Sequence, residues 1–539
     1  MTSPDQEPTA TRRIDYEALH AEALEHNFET LLERSKRETD PAFASDLRLT
    51  HNIAVALGDD GARALVVGGY ARDSALARIT GRPLASKDVD VEVYGLGFNE
   101  LSERLSAFGR VDMVGASFGI AKVTNPDSGH ILDFSIPRRD SKVDKGHAGF
   151  TVTGDPSMSV RDAARRRDLT INALALDPLT GELIDNFGGV DDLKHGVLRA
   201  TDPELFGDDP LRALRVMQFA GRFEFNVDPA TADICRSLDL TELPKERIGE
   251  EWVKLMTKSK RPSIGLAVAK DLGILEQLHP ELDVLSTIDQ EPDWHPEGNV
   301  WNHSMLAADA AAEVVRRSEL SGDDALVVLF GALTHDLGKA TTSQVRERHG
   351  VERITAHGHE GAGVEPAKAF MSQLGMKNSV SAMIVPIIRE HLFHVHQPHP
   401  TDKQLHRFAE RLKPANIRLW DLVSRCDSNA RGGEFTEDTP SHAILEQSLT
   451  LKVSERAAEP IIYGRDLIQS LGLKAGVGLR GALDFLYDAQ LGGEFTTVEE
   501  GLEYYRSHTE DAAVAVATYE VARERHYLEK KASRKQKKS

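Results

Sequence analysis

Around Pro203 the chain changes its hydrophobic rhythm. Before it, short β-branched runs alternate with amphipathic stretches, as in Ala64–Val67, Val89–Tyr94, Ile120–Thr124 and Ile131–Ile136. After it, apolar residues recur at helical spacing for more than two hundred residues, for example at Leu211, Leu214 and Phe219 and again at Leu266 and Leu272. A strand-bearing head followed by helices only is an α+β arrangement with a mixed sheet. At 539 residues the chain is long enough for three or four domains. Composition breaks place them at 1–45 (a polar, then helical N-terminal extension), 46–205 (the head), 206–288 (a helical neck), 289–435 (a second helical unit) and 436–539 (a helical C-terminal module with a basic tail). The boundary at 289 rests on the Pro-rich, acidic stretch Asp289 to Asn299.

Composition narrows the setting. No apolar run approaches the roughly 20 residues that span a bilayer, and Met1 to Thr11 is polar, so no membrane partner and a cytoplasmic location are expected. Two cysteines, Cys235 and Cys426, are too few for a disulfide framework or a thiolate zinc site. The formal charge of −20 argues against indiscriminate polyanion binding. Yet bases cluster at Arg161, Arg165, Arg166 and Arg167, and in the tail from Lys530 to Lys538, so local patches can still engage RNA. The oligomeric state is not legible.

Within the head, Val67-Gly68-Gly69-Tyr70-Ala71-Arg72-Asp73 is followed by Asp88-Val89-Asp90. A glycine turn opening a helix lets backbone amides approach a triphosphate, with Arg72 one turn on to add a charge-assisted fork. Asp88 and Asp90 in a β-branched run would sit on one face of a strand, about 7 Å apart along the chain. Such a pair can hold Mg²⁺ ions, which points to metal-dependent nucleotidyl transfer. A dinucleotide fingerprint is disfavoured because its third glycine is missing. Asp133, on the strand Leu132 to Ile136, is either a third carboxylate or a solvated strand position.

Further on come Arg166-Arg167-Asp168-Leu169-Thr170-Ile171-Asn172-Ala173 and Asp208-Asp209-Pro210-Leu211-Arg212, then Glu246-Arg247-Ile248. In this order, from about Ala64 to Met256, these motifs resemble the class II tRNA nucleotidyltransferase and bacterial poly(A) polymerase family. The resemblance implies a polymerase β-like nucleotidyltransferase head followed by a helical neck, body and tail. It implies that Gly68, Gly69 and Arg72 contact the triphosphate, that Asp88 and Asp90 are catalytic and bind Mg²⁺, and that Arg167 contacts the nucleotide. Asp209 and Arg212 would read the incoming base, and Arg215 would reach the phosphates. An Asp can accept from the amino group that C and A share in kind, while an Arg donates to their ring acceptor. Two positions depart from the family: Asp208 replaces a usual Glu, and Gln218 a usual Arg, which would weaken nucleotide binding. The segment Arg138 to Val160, with Gly146, Gly149 and Gly154, matches the family's flexible loop.

The second helical unit contains His303, His335-Asp336-Leu337-Gly338-Lys339, His357-Gly358-His359-Glu360, Arg389-Glu390-His391 and Arg425-Cys426-Asp427. This resembles the HD phosphohydrolase superfamily. The resemblance implies that His303, His335, Asp336 and Asp427 bind an unidentified divalent metal, with His359 and His391 as candidates for a second ion. His394, His396 and His399, beside a Pro-rich loop, are read as solvated. The C-terminal module, with Tyr463-Gly464-Arg465 and Gln490-Leu491-Gly492-Gly493, looks like the terminal helical module of bacterial family members.

The expected activity is therefore template-independent addition of CCA to tRNA 3′ ends from CTP and ATP, with metal-dependent hydrolysis of phosphoesters by the HD domain. The alternatives are a poly(A) polymerase or a partial CC- or A-adding enzyme, and an HD phosphohydrolase acting on nucleotides or 2′,3′-cyclic phosphates with a silent head. An HD fold serving only as an RNA-binding scaffold is a further possibility for the second unit.

Overall fold

A computed structural model describes residues 28–81, 83–84, 88–114, 119–142, 150–348 and 350–536. The start of the N-terminal helical segment, the middle of the glycine-bearing loop (143–149) and the last three residues of the basic tail lie outside the described residues. The chain divides at Pro280 and Glu281 into two compact units.

The first unit is built on the strands that the β-branched runs predict. They are β1 (Arg63–Val67), β2 (Asp90–Tyr94), β3 (Arg110–Val114), β4 (Ile120–Thr124) and β5 (Ile131–Ser135). A small separate hairpin, β6 (Arg138–Lys142) with β7 (Phe150–Gly154), and two short strands, β8 (Ala175–Leu176) and β9 (Leu183–Ile184), follow. The seven-stranded sheet has the order β3-β4-β5-β2-β1-β8-β9. Only β2 and β5 run parallel; the other neighbours are antiparallel, so the sheet is mixed. β1 sits near the middle with Ala64, Leu65, Val66 and Val67 all buried, which is why it reads as a continuous apolar run rather than an alternating one. Helices Leu211–Phe223, Lys245–Lys258 and Pro262–Asp271 form the neck. They approach closely where Gly221 and Gly265 meet the Leu255 side chain: a Cβ on either would lie within 2.4 Å of Leu255 Cδ1.

The second unit is helical apart from one exposed hairpin, Gln344–Arg348 with Val351–Thr355. Val300–Arg317, Gly322–Thr334, Asn378–Glu390 and Ile417–Asn429 surround a core that includes Phe330, Ile384, Ile387 and Val423. A separate apolar cluster, Ile462, Leu467, Ala482, Leu486, Phe495 and Leu502, organises the C-terminal helices 464–471, 477–491 and 498–507. The last helix, Thr509–Gln536, follows them. No described helix is long and apolar enough to cross a membrane.

Candidate active site and metal centre

Gly68 ends β1 with φ +67° and ψ −126°, a conformation that side-chain-bearing residues avoid. It turns the chain directly into the helix Gly69–Thr80. A Cβ at Gly68 would lie 3.9 Å from Asp90 Oδ2 and 3.5 Å from Arg167 Nη1, so the glycine turn, one acid of the Asp-x-Asp pair and one arginine meet at one spot. Register explains the meeting: Asp90 pairs with Val67, the residue before the turn, and on its other side with Asp133 of β5. Asp88 lies two residues earlier, ahead of the first residue of β2, and is exposed.

Asp133 is not merely solvated. Its carboxylate takes Lys122 Nζ at 2.9 and 3.0 Å from the neighbouring strand. Loss of surrounding water raises the Asp90 carboxyl above its ordinary value, and the Asp133 charge raises it further; Arg167 opposes and Asp88 adds. The charges of Asp88 and Asp133 are felt at Asp90, and a set of neighbouring carboxylates is the donor chemistry that suits a divalent metal. Arg167 also lies 3.7 Å from Glu92, two residues beyond Asp90 on the same strand.

The remaining arginines are held more tightly than the motif suggests. Arg72, expected to fork a phosphate, is instead buried: it gives Nε to Asp73 (2.7 Å) and Nη1 to Asn172 (2.7 Å), and stacks on Phe219 and Phe223. Arg215, expected to reach the phosphates, gives Nε to buried Asp168 at 2.6 Å. Burial alone would raise the Asp168 carboxyl, but the Arg215 charge and the Asn172 amide hold it below its ordinary value. Arg212 donates to two carbonyls, Leu205 O at 2.8 Å and Arg166 O at 2.7 Å. Asp209 is bound not by Arg212 but by Arg247 of the next neck helix, at 2.9 and 3.4 Å. Arg247 belongs to the motif Glu246-Arg247-Ile248, and its partner lies 38 positions away, a distance no local pattern reports. Gln218 is buried on the helix Leu211–Phe223, so the departure at that position lies inside the protein, not on its surface.

In the second unit, all six histidines and acids predicted as ligands converge. His303, His335 and Asp427 form one group and Asp336, His359 and His391 another, the ligand atoms of each lying within 4.8 Å of one another. His303 Nε2 is 3.1 Å from Asp427 Oδ1 and 3.3 Å from His335 Nε2. His359 Nε2 is 3.1 Å from His391 Nε2 and 3.2 Å from Asp336 Oδ1. Asp336 joins the groups, its Oδ2 lying 3.3 Å from His335 Nε2.

The imidazoles are aimed from behind. Nδ1 of His335, His359 and His391 lies 2.6 to 2.8 Å from the carbonyls of Ala332, Ala356 and Ile388, and Nδ1 of His303 lies 2.7 Å from Glu297. A carbonyl only accepts, so Nδ1 of those three rings carries a proton and Nε2 is the atom left facing the centre. Burial would raise Asp336, but the His335 and Lys339 charges hold it well below the carboxylate range. Burial pushes His391 down to about 3, the charges of His335 and His359 adding to it, whereas Asp427 and Glu297 hold His303 up to about 9 against burial. Convergent Nε2 atoms around two anionic carboxylates fit divalent cations, which would take the place of the proton that Asp427 holds on His303.

Several supports were not read from the sequence. The stretch Asp289 to Asn299, taken as a boundary, wraps the centre: Gln290 accepts from Lys339 Nζ (2.6 Å), Glu291 accepts the Ile354 amide of the hairpin (2.9 Å), and Glu297 holds both His295 and His303. Lys339 reaches Asp336 Oδ2 at 2.7 Å. His394, read as solvated, is buried against Trp420, while His396 and His399 are exposed as expected. Its ring packs because Phe393, Phe408 and Trp420 form an aromatic cluster at that corner.

Comparison with known proteins identifies the domains in which both sites lie. The family profile for the poly A polymerase head domain matches residues 64–199, that for the probable RNA and SrmB-binding site of polymerase A matches 224–285, and that for the HD domain matches 300–427. A "Multifunctional CCA protein" of Xanthomonas campestris pv. campestris (strain B100) is 34% identical over 421 residues, 75% of this chain and 92% of that relative. The chain belongs to the class II tRNA nucleotidyltransferase and bacterial poly(A) polymerase family. Another relative of the same name, from Laribacter hongkongensis, is 32% identical and covers 73% of this chain and 91% of its own. Among solved structures, a Bacillus stearothermophilus CCA-adding enzyme in complex with CTP superposes with a TM-score of 0.59 at 20% identity, covering 88% of this chain and 100% of its own. A Thermotoga maritima CCA-adding enzyme complexed with tRNA gives 0.54 at 18% identity, covering 89% and 99%. These two likenesses establish the fold. The protein is a tRNA nucleotidyltransferase with an appended HD domain.

Proposed function

We propose that this enzyme completes tRNA 3′ ends with CCA, taking CTP and ATP without a template. The observation that carries the reading is the convergence of Gly68, Asp90 and Arg167, with Asp88 and Asp133 close enough for their charges to raise the Asp90 carboxyl. The names of the relatives and the bound CTP, ATP and tRNA of its structural neighbours support it.

In this reading Asp88 and Asp90 hold Mg²⁺, which when bound lowers the pKa of the attacking 3′-hydroxyl and neutralises the departing pyrophosphate. The amides after Gly68 meet the triphosphate, and Arg167 steadies it. Arg72 and Arg215 act at one remove, locking the neck helix to the head through Asp73, Asn172 and Asp168. Arg212 has its guanidinium plane fixed by two carbonyls, and Asp209 is clamped by Arg247, so the pair that would read C and A is rigid before the nucleotide arrives. Rigid donors and acceptors reject U and G because a mismatched base leaves a polar group unpaired. The cytoplasm is the compartment this activity implies.

The test is a tRNA lacking its last three nucleotides, offered each labelled nucleotide singly and then both. CTP alone should add two residues, and ATP should then add one. An A-only ladder would make the protein a poly(A) polymerase, arrest after CC or addition of A alone a partial enzyme, and no extension at all a silent head. Asp90→Ala should abolish extension.

For the second centre the six convergent ligands support a metal-dependent phosphohydrolase that holds two ions, one at His303, His335 and Asp427 and one at His359 and His391, with Asp336 between them. Cations there would polarise a phosphoester and activate water. The purified protein should hydrolyse 2′,3′-cyclic nucleotides with added divalent metal. Asp336→Ala should lose that activity and keep tRNA extension; hydrolysis by neither protein would leave the HD fold a scaffold.

A further inference from the structure

Among the described residues, two cationic side chains other than histidine stand within 4 Å of a carboxylate of the HD cluster, and they differ in how they are held. Lys339 is buried and gives Nζ to Gln290 at 2.6 Å and to Asp336 at 2.7 Å, so its charge is committed inside the protein. Arg431 stands just past the end of Ile417–Asn429, the helix that carries Asp427. Its Nη2 is 3.7 Å from Asp427 Oδ1, the same oxygen that lies 3.1 Å from His303 Nε2 and 3.8 Å from His335 Nε2. That separation is an ion pair without a hydrogen bond, and Arg431 makes no hydrogen bond to any described residue. Its side chain is 39% exposed, with all the N–H groups of its fork free. Arg425, on the same helix, shows the other fate: it is buried and held by Asp421 at 2.7 Å.

The backbone that carries Arg431 is anchored, and the space beside it is open. Asn429 accepts from the Thr436 amide at 2.8 Å and donates to the Thr436 carbonyl at 3.0 Å, which closes the loop between them. Inside that loop Gly432 and Gly433 follow Arg431 with φ of +86° and +100°, and a Cβ on either would meet nothing within 4 Å. A fixed loop thus holds an unbonded guanidinium at the solvent-side edge of a buried ligand set.

Chemistry selects what it binds. When Asp427 serves a cation, its charge is no longer available to Arg431, and the guanidinium is left without a counter-ion. The group that fits is an anion lying between the cation site and the fork, and two parallel N–H groups match two non-bridging oxygens of a phosphoryl group. We propose that Arg431 is a substrate-binding residue of the HD centre, holding the non-bridging oxygens of the phosphoester. This rests on the phosphohydrolase reading of that centre. It also fixes an opposition of signs: Arg431 repels a cation at Asp427 and attracts an anion, whereas a residue that only propped Asp427 in place would favour the cation.

The test uses the full chain carrying Asp90→Ala, so that added ions report on the HD centre. Calorimetry follows Mn²⁺ binding first, then orthophosphate binding to the Mn²⁺-loaded protein. Relative to that parent, Arg431→Gln should bind Mn²⁺ at least as tightly and orthophosphate about tenfold to a hundredfold more weakly. Its KM for 2′,3′-cyclic AMP should rise by a similar factor, and Arg431→Lys, which keeps the charge and loses the fork, should fall between. Weaker Mn²⁺ binding by Arg431→Gln would mean that Arg431 only positions Asp427, which overturns the proposal. Equal orthophosphate affinity in parent and variant overturns it too, as does a parent that binds no orthophosphate. If the parent hydrolyses no cyclic nucleotide yet binds orthophosphate through Arg431, the phosphohydrolase reading fails and the phosphoryl subsite stands.

Discussion

Half-buried Arg215 meets buried Asp168 at 2.6 Å, and from that contact a chain of buried polar groups runs to the glycine-turn helix. Asp168 accepts from Asn172 at 3.0 Å, Asn172 accepts from Arg72, and Arg72 is paired with Asp73, which Arg222 also approaches at 3.4 Å. Both ends lie on the neck helix Leu211–Phe223 and the middle lies in the head, so the network fixes one on the other.

Breaking the network should be costly. Asp168→Asn takes from half-buried Arg215 its nearest counter-charge, leaving Glu251 at 4.0 Å, and a loss of about 1–3 kcal/mol is expected in the unfolding transition of the first unit, read from the denaturant midpoint. The pH dependence has a fixed sign. Asp168 is held below its ordinary value in the folded protein, so its contribution is present above the unfolded pKa of about 3.9 and disappears as pH falls through the folded value. Acidification below about pH 4 should therefore narrow the gap between the parent and Asp168→Asn.

Arg247→Ala should loosen Asp209 without touching the glycine turn. A loss of about 1–3 kcal/mol in nucleotide binding is expected, seen as a KM for CTP and ATP raised by about tenfold to a hundredfold. Incorporation of UTP should rise in parallel.

Glu297→Ala removes the acceptor behind His303 and His295. Metal affinity of the HD centre should fall by about tenfold to a hundredfold in calorimetric titration with Mn²⁺, while tRNA extension is unchanged.

Two glycines near the same centre should respond oppositely. A Cβ at Gly338 would lie 2.0 Å from His359 O and 2.5 Å from Gly363 N, both backbone atoms that cannot step aside. Gly338→Ala should displace His359, abolish phosphohydrolase activity and lower the melting temperature of the second unit. Gly361→Ala, whose Cβ meets nothing within 4 Å, should be tolerated.

The local features of this protein were readable, and the long-range ones were not. Strands such as Ile120–Thr124 announce themselves through β-branched alternation, and β2 begins at Asp90, the second acid of the Asp-x-Asp pair. The six HD candidates were legible because their motifs, in this order, resemble the HD phosphohydrolase superfamily, and folding brings them together. What escaped depends on distant pairing. Nothing beside Arg72 marks it as buried, since Asn172, Phe219 and Phe223 reach it from later in the chain. Likewise Asp289 to Asn299 has the Pro, Gly and acids of a linker, and only folding turns Gln290, Glu291 and Glu297 toward Lys339, Ile354 and His303.

Because Asp336 lends one oxygen to each half of the HD cluster, the halves share a single pivot. Any twist of that carboxylate lengthens one arm as it shortens the other, and Lys339, fastened to one oxygen, resists the twist. Evolution can therefore retune this centre only as a whole, and a mutation that improves the grip at one end weakens it at the other.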